Sequence, residues 1–282
     1  MDQELVAAQT DGQFKGQNGL NIYFRSYRPA GDATGVAVIV PGFNSHGGYY
    51  HWVAKRLTGL GLAVEVIDLQ GRGKSDGERF FIERFDDYAT DVGALITMAK
   101  SRDPGVPVFL LGHSAGGVVS CLYALDHERE LAGLICESFA FELPAPDFVL
   151  AVMRGLSHLA PHARVLALKN ETFSRDPKVV AEMNADPLIA HETQPTSTMA
   201  AMVRADERLR KQLSTLTLPV LILHGTLDAD AKPDGSRFFY DTSGSADKTL
   251  KIYEGYLHDL LNDTGKEVVM TDIENWLAKR LK

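Results

Sequence analysis

The amino-acid sequence predicts an α/β fold, in which helices cover both faces of a mostly parallel sheet. Two observations carry this prediction: short apolar runs typical of buried strands recur along the chain, and segments with helical periodicity lie between them. Strands that alternate with helices build parallel βαβ units. The chain has 282 residues, of which 45% are hydrophobic and 23% charged. It can therefore bury a sizeable core without disulfide or metal support.

The strand predictions rest on six apolar runs. They are residues 36–40, 63–67, 106–111, 131–136, 218–223 and 250–253. Alternating apolar residues between Leu20 and Tyr27 predict an antiparallel strand that leads into the sheet. Apolar residues at steps of three and four predict one helix from Phe85 to Ala99 and another near the end of the chain, from Val269 to Leu281.

The alternation of strands and helices breaks between residues 139 and 211. This stretch carries several prolines and helical patterns, but no convincing strand. We expect residues 1–138 and 212–282 to form the α/β core and residues 139–211 to form a helical cap inserted in it. Phe148, Val152, Leu156 and Leu159 share one broad apolar helix face. This face predicts either a helical excursion packed on the sheet or a lid over a substrate cleft.

Charge and cysteine content exclude several functional classes. The chain has 29 Lys and Arg against 37 Asp and Glu, a net charge of −8, which argues against general attraction to nucleic acid or anionic lipid. No apolar run approaches the roughly 20 residues that cross a bilayer, and the first residues lack a signal-peptide pattern. Cys121 and Cys136 lie among apolar residues, so we expect both to be buried and reduced. These features predict a cytoplasmic protein without stable membrane insertion and without a nucleic-acid partner.

The segment Gly112-His113-Ser114-Ala115-Gly116 is the strongest chemical signal in the sequence. It follows a predicted strand and precedes a helical run at residues 118–125, which is the strand–turn–helix context of a nucleophile elbow. Glycines are needed there because the turn is sharp and its backbone strained. The turn lifts the serine hydroxyl to the carboxyl end of the strand, where α/β folds bind ligands. We therefore predict that Ser114 is a catalytic nucleophile.

A serine nucleophile needs a base, and the base needs an orienting acid. In folds with this elbow the chain order is serine, acid, histidine. His258 lies in the loop after the last predicted strand and is the predicted base, ahead of His224 at a strand end. The acid is expected in the loop that follows residues 218–223, where Asp228 is preferred and Asp230 is the alternative.

Two backbone N–H groups should hold the developing oxyanion. One belongs to Ala115, directly after the nucleophile, and the other to Phe43, in the glycine-rich loop after residues 36–40. Gly42 would let that loop approach the serine closely. The residues expected to line the substrate site are His46, Phe148, Val152 and Leu156.

The sequence predicts no cofactor and no metal. Residues 71–75 end like a phosphate-binding loop, but the first glycine of that motif would fall on Asp68. His127 and His191 each precede a glutamate but lack the second histidine of a zinc-binding helix.

Taken together, these segments resemble the monoacylglycerol lipase and lysophospholipase branch of the α/β-hydrolases, also called serine aminopeptidase-like hydrolases. The resemblance runs from about Asn18 to the end of the chain. It is most specific at Pro41-Gly42 with His46 and Tyr50, and at residues 68–77, 112–117 and 224–228. The chain departs from the family at Pro41, where members usually carry His. It departs again at Ser45 and Tyr49, where members that grip glycerol often carry Glu and Arg.

The resemblance implies an eight-stranded core with a helical cap. It also implies a serine hydrolase with Ser114, Asp228 and His258 as the triad and with Phe43 and Ala115 as oxyanion donors. We therefore expect an enzyme that cleaves small-molecule carboxylic esters with an apolar acyl group, through an acyl-enzyme intermediate.

Three alternatives stay open. An aminopeptidase of the same fold could bind the substrate ammonium through acidic residues of the cap, and Glu142, Asp147 and Glu171 are the candidates. An acyltransferase would use the same triad, and a non-catalytic binding protein would use the same fold.

Overall fold

The computed structural model describes residues 8–141 and 155–281, which form an eight-stranded sheet and a separate two-stranded one. The strands are β1 (Ala8–Lys15), β2 (Asn21–Arg28), β3 (Gly35–Val40), β4 (Leu62–Ile67), β5 (Val108–His113), β6 (Gly133–Glu137), β7 (Arg164–Leu166), β8 (Gln194–Pro195), β9 (Val220–Gly225) and β10 (Lys248–Tyr253). The large sheet has the order β1-β2-β4-β3-β5-β6-β9-β10. β1 and β2 are antiparallel to their neighbours, and every pair from β4 to β10 is parallel. The predicted fold class is confirmed.

Helices cover both faces of the large sheet. They are α1 (His51–Gly59), α2 (Phe85–Arg102), α3 (Ala115–His127), α4 (Pro177–Ala185), α5 (Thr196–Gln212), α6 (Pro233–Thr242) and α7 (Lys266–Ala278). Side chains alternate between the faces of a strand. In β3, Val36 and Val38 pack in one apolar cluster with α2, α3 and α5, whereas Ala37 and Ile39 pack in the other with α1 and α7.

Two central strands lie two residues further along the chain than the sequence predicts. Residues 106–111 and 218–223 are the predicted runs, and β5 and β9 are the observed strands. Pro107 and Pro219 immediately precede the observed strands, and proline lacks the N–H that a central strand donates. As a result, β5 extends to His113 and delivers the next residue, Ser114, at the carboxyl edge of the sheet.

Three further strands had no sequence signal. β1 is a polar edge strand that pairs with β2 along its whole length, so backbone hydrogen bonds rather than apolar alternation define it. β7 and β8 pair with each other between residues 139 and 211, where no strand is expected. With three and two residues, they are too short for any periodicity to show.

The turn between β5 and α3 holds Ser114 in an unusual backbone conformation. Its φ is 55° and its ψ is −121°, a combination that ordinary residues avoid. The turn packs closely on β3, because a Cβ atom at Gly116 would lie 2.1 Å from the carbonyl oxygen of Val40. Only glycine at position 116 permits this approach, and the approach presents the serine at the sheet edge.

We call residues 139–211 the cap segment, after the predicted cap, and a buried ion pair links its described part to the rest of the chain. Arg72 follows β4, is 1% exposed, and donates hydrogen bonds to Glu192 and to Gln194, the latter over 2.8 Å. The Arg72 guanidinium carbon also lies 4.2 Å from the centre of the Phe43 ring. A buried cation is strongly unfavourable without such partners. Arg72 therefore connects the cap segment to the loop after β3.

The two ends of the cap segment differ in how they pack. Helix α5 is part of the core, because Met199, Met202 and Leu209 are buried in the same apolar cluster as α2 and α3. By contrast, Leu156 is 37% and Leu159 is 86% exposed. The described end of the predicted apolar helix face thus lies at the surface, and Phe148 and Val152 lie outside the described residues.

The structure also bears on two expectations drawn from composition. Cys121 and Cys136 are buried and free, with their sulfur atoms 3.7 Å apart, as expected. Among the helices that the structure describes, none combines the length and apolar character needed to cross a bilayer.

Replacing Gly116 by alanine should disrupt the packing of the elbow on β3, because of the 2.1 Å approach to Val40. Overpacking typically costs about 1–3 kcal/mol, so thermal denaturation should show a melting temperature lower by about 2 °C or more. Gly59→Ala is the matched control, since Gly59 is exposed and nothing lies within 4 Å of an added Cβ. Equal melting temperatures for the two variants would contradict this description of the elbow.

Replacing Arg72 by methionine should destabilise the protein strongly, because Glu192 would keep a buried charge without its partner. Breaking such a pair costs about 3–5 kcal/mol, measurable by urea denaturation. Arg84→Met is the control; its side chain is 66% exposed, and the free energy of unfolding should change by less than about 0.5 kcal/mol. Adding Glu192→Gln to Arg72→Met should recover part of the loss, and a further loss would argue against the ion pair.

Candidate active site

Ser114, His258 and Asp228 form a continuous hydrogen-bonded line at the carboxyl edge of the sheet. The Nε2 atom of His258 lies 2.8 Å from Ser114 Oγ, and its Nδ1 atom lies 2.7 Å from Asp228 Oδ2. All three residues are buried. They follow β5, β10 and β9 respectively, and parallel strands bring their carboxyl ends to the same edge. The structure thus brings together the three residues that the sequence predicts as a triad.

Asp228 is held as an ion by its surroundings. Its Oδ1 atom accepts hydrogen bonds from the N–H groups of Asp230 and Ala231, each 2.9 Å long. His224 Nε2 lies 3.0 Å from Oδ2. Burial acts to raise the pKa of Asp228, but the charge of His258 and the hydrogen bonds from His224 and His258 outweigh it. The net result is a pKa well below the ordinary value.

The alternative acid, Asp230, is directed elsewhere. Its carboxylate accepts a hydrogen bond from the hydroxyl of Thr172, in the cap segment. Burial raises the pKa of Asp230, although the Thr172 bond opposes this rise. Of the two acids left open by the sequence, the geometry therefore favours Asp228 as the partner of His258.

The ring of His258 is enclosed by two other rings. Phe173 of the cap segment meets it edge-on, with ring centres 4.9 Å apart, and His113 lies beneath it at 5.0 Å. Burial lowers the pKa of His258, but the charge and hydrogen bond of Asp228 outweigh burial, so its pKa is raised. Burial, together with the charge of His258, lowers the pKa of His113 to about 3. His113 is therefore neutral, and with so low a pKa it binds a proton too weakly to compete with His258.

The loop that carries Phe43, one of the two predicted oxyanion donors, lies close to the elbow that carries the other, Ala115. A Cβ atom at Gly42 would lie 2.8 Å from Ser114 Cβ and 3.4 Å from the nitrogen of Ala115, so the loop after β3 passes directly over the elbow. In the part of the chain that the structure describes, neither the Phe43 nor the Ala115 N–H donates to another protein group. The first N–H groups of a helix have no partner within it. Both amides are therefore free to bind another acceptor.

His46 is engaged with the cap segment. Its Nδ1 atom accepts from the N–H of Gly48 over 3.0 Å, which places its proton on Nε2, 2.8 Å from Asp186 Oδ2. Tyr49 donates to the same Asp186 oxygen over 2.8 Å. Asn44, in the same loop, donates to Asn170 Oδ1 over 3.0 Å. The predicted substrate-lining residue His46 thus ties the loop after β3 to the cap segment.

Sequence reasoning did not identify the residues that connect this loop to the cap segment, namely Arg72, Asp186 and Glu192. Arg72 lies in a segment that carries the family resemblance, and that signal could have drawn attention to it. Asp186 and Glu192, which pair with His46 and Arg72, belong to no motif that could have indicated them.

Two groups of histidine and acidic side chains are close enough to share a cation among the described residues. One is Asp228, Asp230 and His258, which already exchange the hydrogen bonds given above. The other is His113, Glu137 and Asp259, which is buried beneath His258.

Comparison with known proteins relates this geometry to a family. The family model described as serine aminopeptidase, S33 matches residues 31–265. A monoacylglycerol lipase of Mycolicibacterium smegmatis is 30% identical over 279 residues, which cover 98% of this chain and 100% of that protein. The human monoglyceride lipase is 30% identical over 268 residues, covering 93% of this chain and 88% of that protein.

A solved structure agrees with these sequence comparisons. The crystal structure of the Paleococcus ferrophilus monoacylglycerol lipase superimposes with a TM-score of 0.81 at 26% identity, covering 97% of this chain and 99% of that one. The resemblance that the motifs predict is confirmed. The chain belongs to the serine aminopeptidase S33 family of α/β-hydrolases, in the branch that contains the monoacylglycerol lipases.

Proposed function

We propose that this chain is a monoacylglycerol lipase-type hydrolase that cleaves carboxylic esters through Ser114, His258 and Asp228. The observation that carries the proposal is the hydrogen-bonded line from Asp228 through His258 to Ser114. The relatives named monoacylglycerol or monoglyceride lipase, which match over nearly the whole chain, support an ester as the substrate.

The first half of the reaction acylates the serine. Ser114 Oγ attacks the ester carbonyl carbon while its proton passes to His258 Nε2, 2.8 Å away. The N–H groups of Phe43 and Ala115 hold the resulting oxyanion, and ionised Asp228 stabilises the imidazolium. His258 then protonates the oxygen of the departing alcohol, and an acyl-enzyme ester remains on Ser114.

The second half repeats these steps with water. His258 removes a proton from the attacking water, the same N–H groups hold the second oxyanion, and the imidazolium returns its proton to Ser114 Oγ as the acid leaves. An alcohol in place of water would give acyl transfer with the same residues.

The cap segment supports the histidine loop from outside. The N–H of Asp259 donates to the carbonyl oxygen of Phe173 over 2.8 Å, and the N–H of His258 to that of Thr172 over 3.4 Å. We propose that the described residues of this segment that precede α5 cover the site as a cap, with apolar groups such as Phe173 beside the acyl chain.

Of the three acids that the sequence offers for an aminopeptidase, only Glu171 is described, and it gives that alternative no support. Such an enzyme needs a carboxylate near the serine to bind the substrate ammonium. Glu171 is exposed, and its carboxylate accepts from Asn184 over 3.2 Å. Glu142 and Asp147 lie outside the described residues.

The proposal predicts faster hydrolysis of p-nitrophenyl esters and monoacylglycerols than of aminoacyl anilides, measured as kcat/KM on one enzyme preparation. A fluorophosphonate probe should label Ser114. Ser114→Ala should abolish labelling and lower kcat by at least about 10³-fold. Ser120→Ala is the matched control, because Ser120 is also buried but lies about one and a half helical turns further along α3. This variant should leave both the labelling and kcat unchanged. Labelling of another residue, or preference for anilides, would refute the proposal.

The choice between the two acids predicts unequal effects of their amide variants. Asp228→Asn should lower kcat/KM by about 10³–10⁴-fold, because an amide N–H facing Nδ1 favours the wrong tautomer of His258. Asp230→Asn should lower it by less than about tenfold, since Asp230 bonds Thr172 instead. The reverse ranking in ester hydrolysis assays would assign the orienting role to Asp230.

A further inference from the structure

A second buried cluster lies beneath the catalytic histidine and takes no part in the triad. His113, Glu137 and Asp259 are at most 2% exposed, and their ring nitrogen and carboxylate oxygens lie within 4.8 Å of one another. His113 and Glu137 are direct partners in the pairing of β5 with β6. Asp259 directly follows His258. The cluster therefore joins two central strands to the loop that carries the proposed base.

Both carboxyl groups of this cluster shape that loop. Glu137 Oε1 accepts a hydrogen bond from the N–H of Leu261 over 3.0 Å. The two oxygens of Asp259 accept from the side-chain amide of Asn262, over 3.1 and 3.0 Å. Residues 258–262 are thus fastened to the end of β6 by Glu137 and folded on themselves by Asp259.

No cation forms an ion pair with either carboxyl among the residues that the structure describes. Their hydrogen-bond partners in the described part of the chain, the Leu261 N–H and the Asn262 amide, are neutral. Two ionised carboxylates buried this close together would repel each other strongly without a counter-charge. Glu137 Oε2 has no hydrogen-bond partner among the described residues, so it can carry a proton.

The groups that face the pair do not supply that counter-charge. His113 is neutral, and burial raises the pKa of Tyr50 well above its ordinary value, so Tyr50 stays uncharged. Tyr253, whose pKa is raised by burial and by its bond to Asp272, is also uncharged. Asp228 and Asp263 add further negative charge, and His258 faces Asp259 but is already paired with Asp228.

We propose that Glu137 and Asp259 share one proton, and that the half-protonated pair positions the loop of His258 for catalysis. The proposal rests on the proposed function only in taking His258 as the base. With one carboxyl neutral, the repulsion is removed and a single negative charge remains beneath the imidazole. Loss of the shared proton would restore the repulsion and displace the loop.

The pH dependence follows from the direction of the shifts. Burial, with the charge of Asp259, raises the pKa of Glu137 well above its ordinary value, and burial raises the pKa of Asp259 to about 6. Above about pH 4.5 the unfolded chain has released these protons, while the folded protein retains one. The contribution of the pair to stability is therefore present at low pH and is lost as pH rises through the raised pKa values.

The direct test compares the melting temperatures of wild type and Glu137→Gln from about pH 6 to about pH 9. Glutamine keeps an oxygen for the Leu261 N–H and offers an amide hydrogen to Asp259, but it holds no titratable proton. The wild type should lose up to about 3 °C per pH unit relative to this variant. Asp259→Asn should flatten the curve in part, because it removes the charge of Asp259 but leaves Glu137 buried, whereas Glu267→Gln, on the exposed face of α7, should run parallel to wild type. Parallel curves for wild type and both amide variants of the pair would overturn the proposal.

The pH profile of ester hydrolysis distinguishes a positioning role of the pair from a purely structural one, because a purely structural role would leave this profile unchanged. The kcat/KM of wild type should fall on the alkaline side, and Glu137→Gln should lack that fall. Glu137→Leu, which cannot accept from Leu261, should lower kcat by about 10–100-fold, and glutamine should restore most of that loss. An alkaline fall shared equally by wild type and Glu137→Gln would refute the positioning role.

Two further results would separate a failure of the shared-proton proposal from a failure of the proposed function. The purified protein could contain stoichiometric divalent metal, and a chelator could lower the melting temperature of wild type but not of Glu137→Gln. These two results together would show a cation in place of the shared proton and would overturn the proposal. Absence of ester turnover would refute the proposed function, whereas the melting comparison would still decide whether the pair shares a proton.

Discussion

Ser114 adopts a backbone conformation that its neighbours must maintain, since such strain costs of order 1–3 kcal/mol. Three contacts hold it. Gly116 lets the turn lie against Val40 of β3, the N–H of Ser114 donates to the carbonyl oxygen of Glu137 over 2.9 Å, and α3 begins at the next residue. The proposed nucleophile, one of the proposed oxyanion donors and the approach of the loop after β3 all depend on this turn. The rest of the site is arranged around it.

The ionisable groups beneath the serine are stabilised in different ways. Asp228 is an ion because two backbone N–H groups and two histidines surround it. Glu137 and Asp259 have neutral partners, which is why a proton is the simplest compensation there. Ionised Asp228 places a negative charge beside Nδ1 of His258. The shared proton of Glu137 and Asp259 keeps the negative charge below the ring to one.

Contacts between the cap segment and the core converge on the parts of the core that carry the proposed chemistry. Arg72 joins Glu192 to the ring of Phe43, and His46 joins Asp186 to the same loop. On the other side, the carbonyl of Phe173 holds the N–H of Asp259. Displacement of the cap segment would therefore disturb the loop after β3 and the loop of His258 together. This coupling makes docking of the cap segment a condition for an intact site.

Local patterns predicted the alternation of strands and helices, the elbow at Ser114 and the chain order that selects His258. Strand periodicity, glycine spacing and the order of elements can each be recognised in short segments of sequence. The sequence already preferred Asp228 to Asp230, but the contacts that separate the two acids, the exposure of Leu156 and the pairing of Arg72 with Glu192 across 120 residues came only from the folded chain. Each depends on which side chains meet across distant segments. A buried charge pairs with whichever opposite charge lies next to it in the folded chain, and a local sequence pattern does not indicate which residue that is.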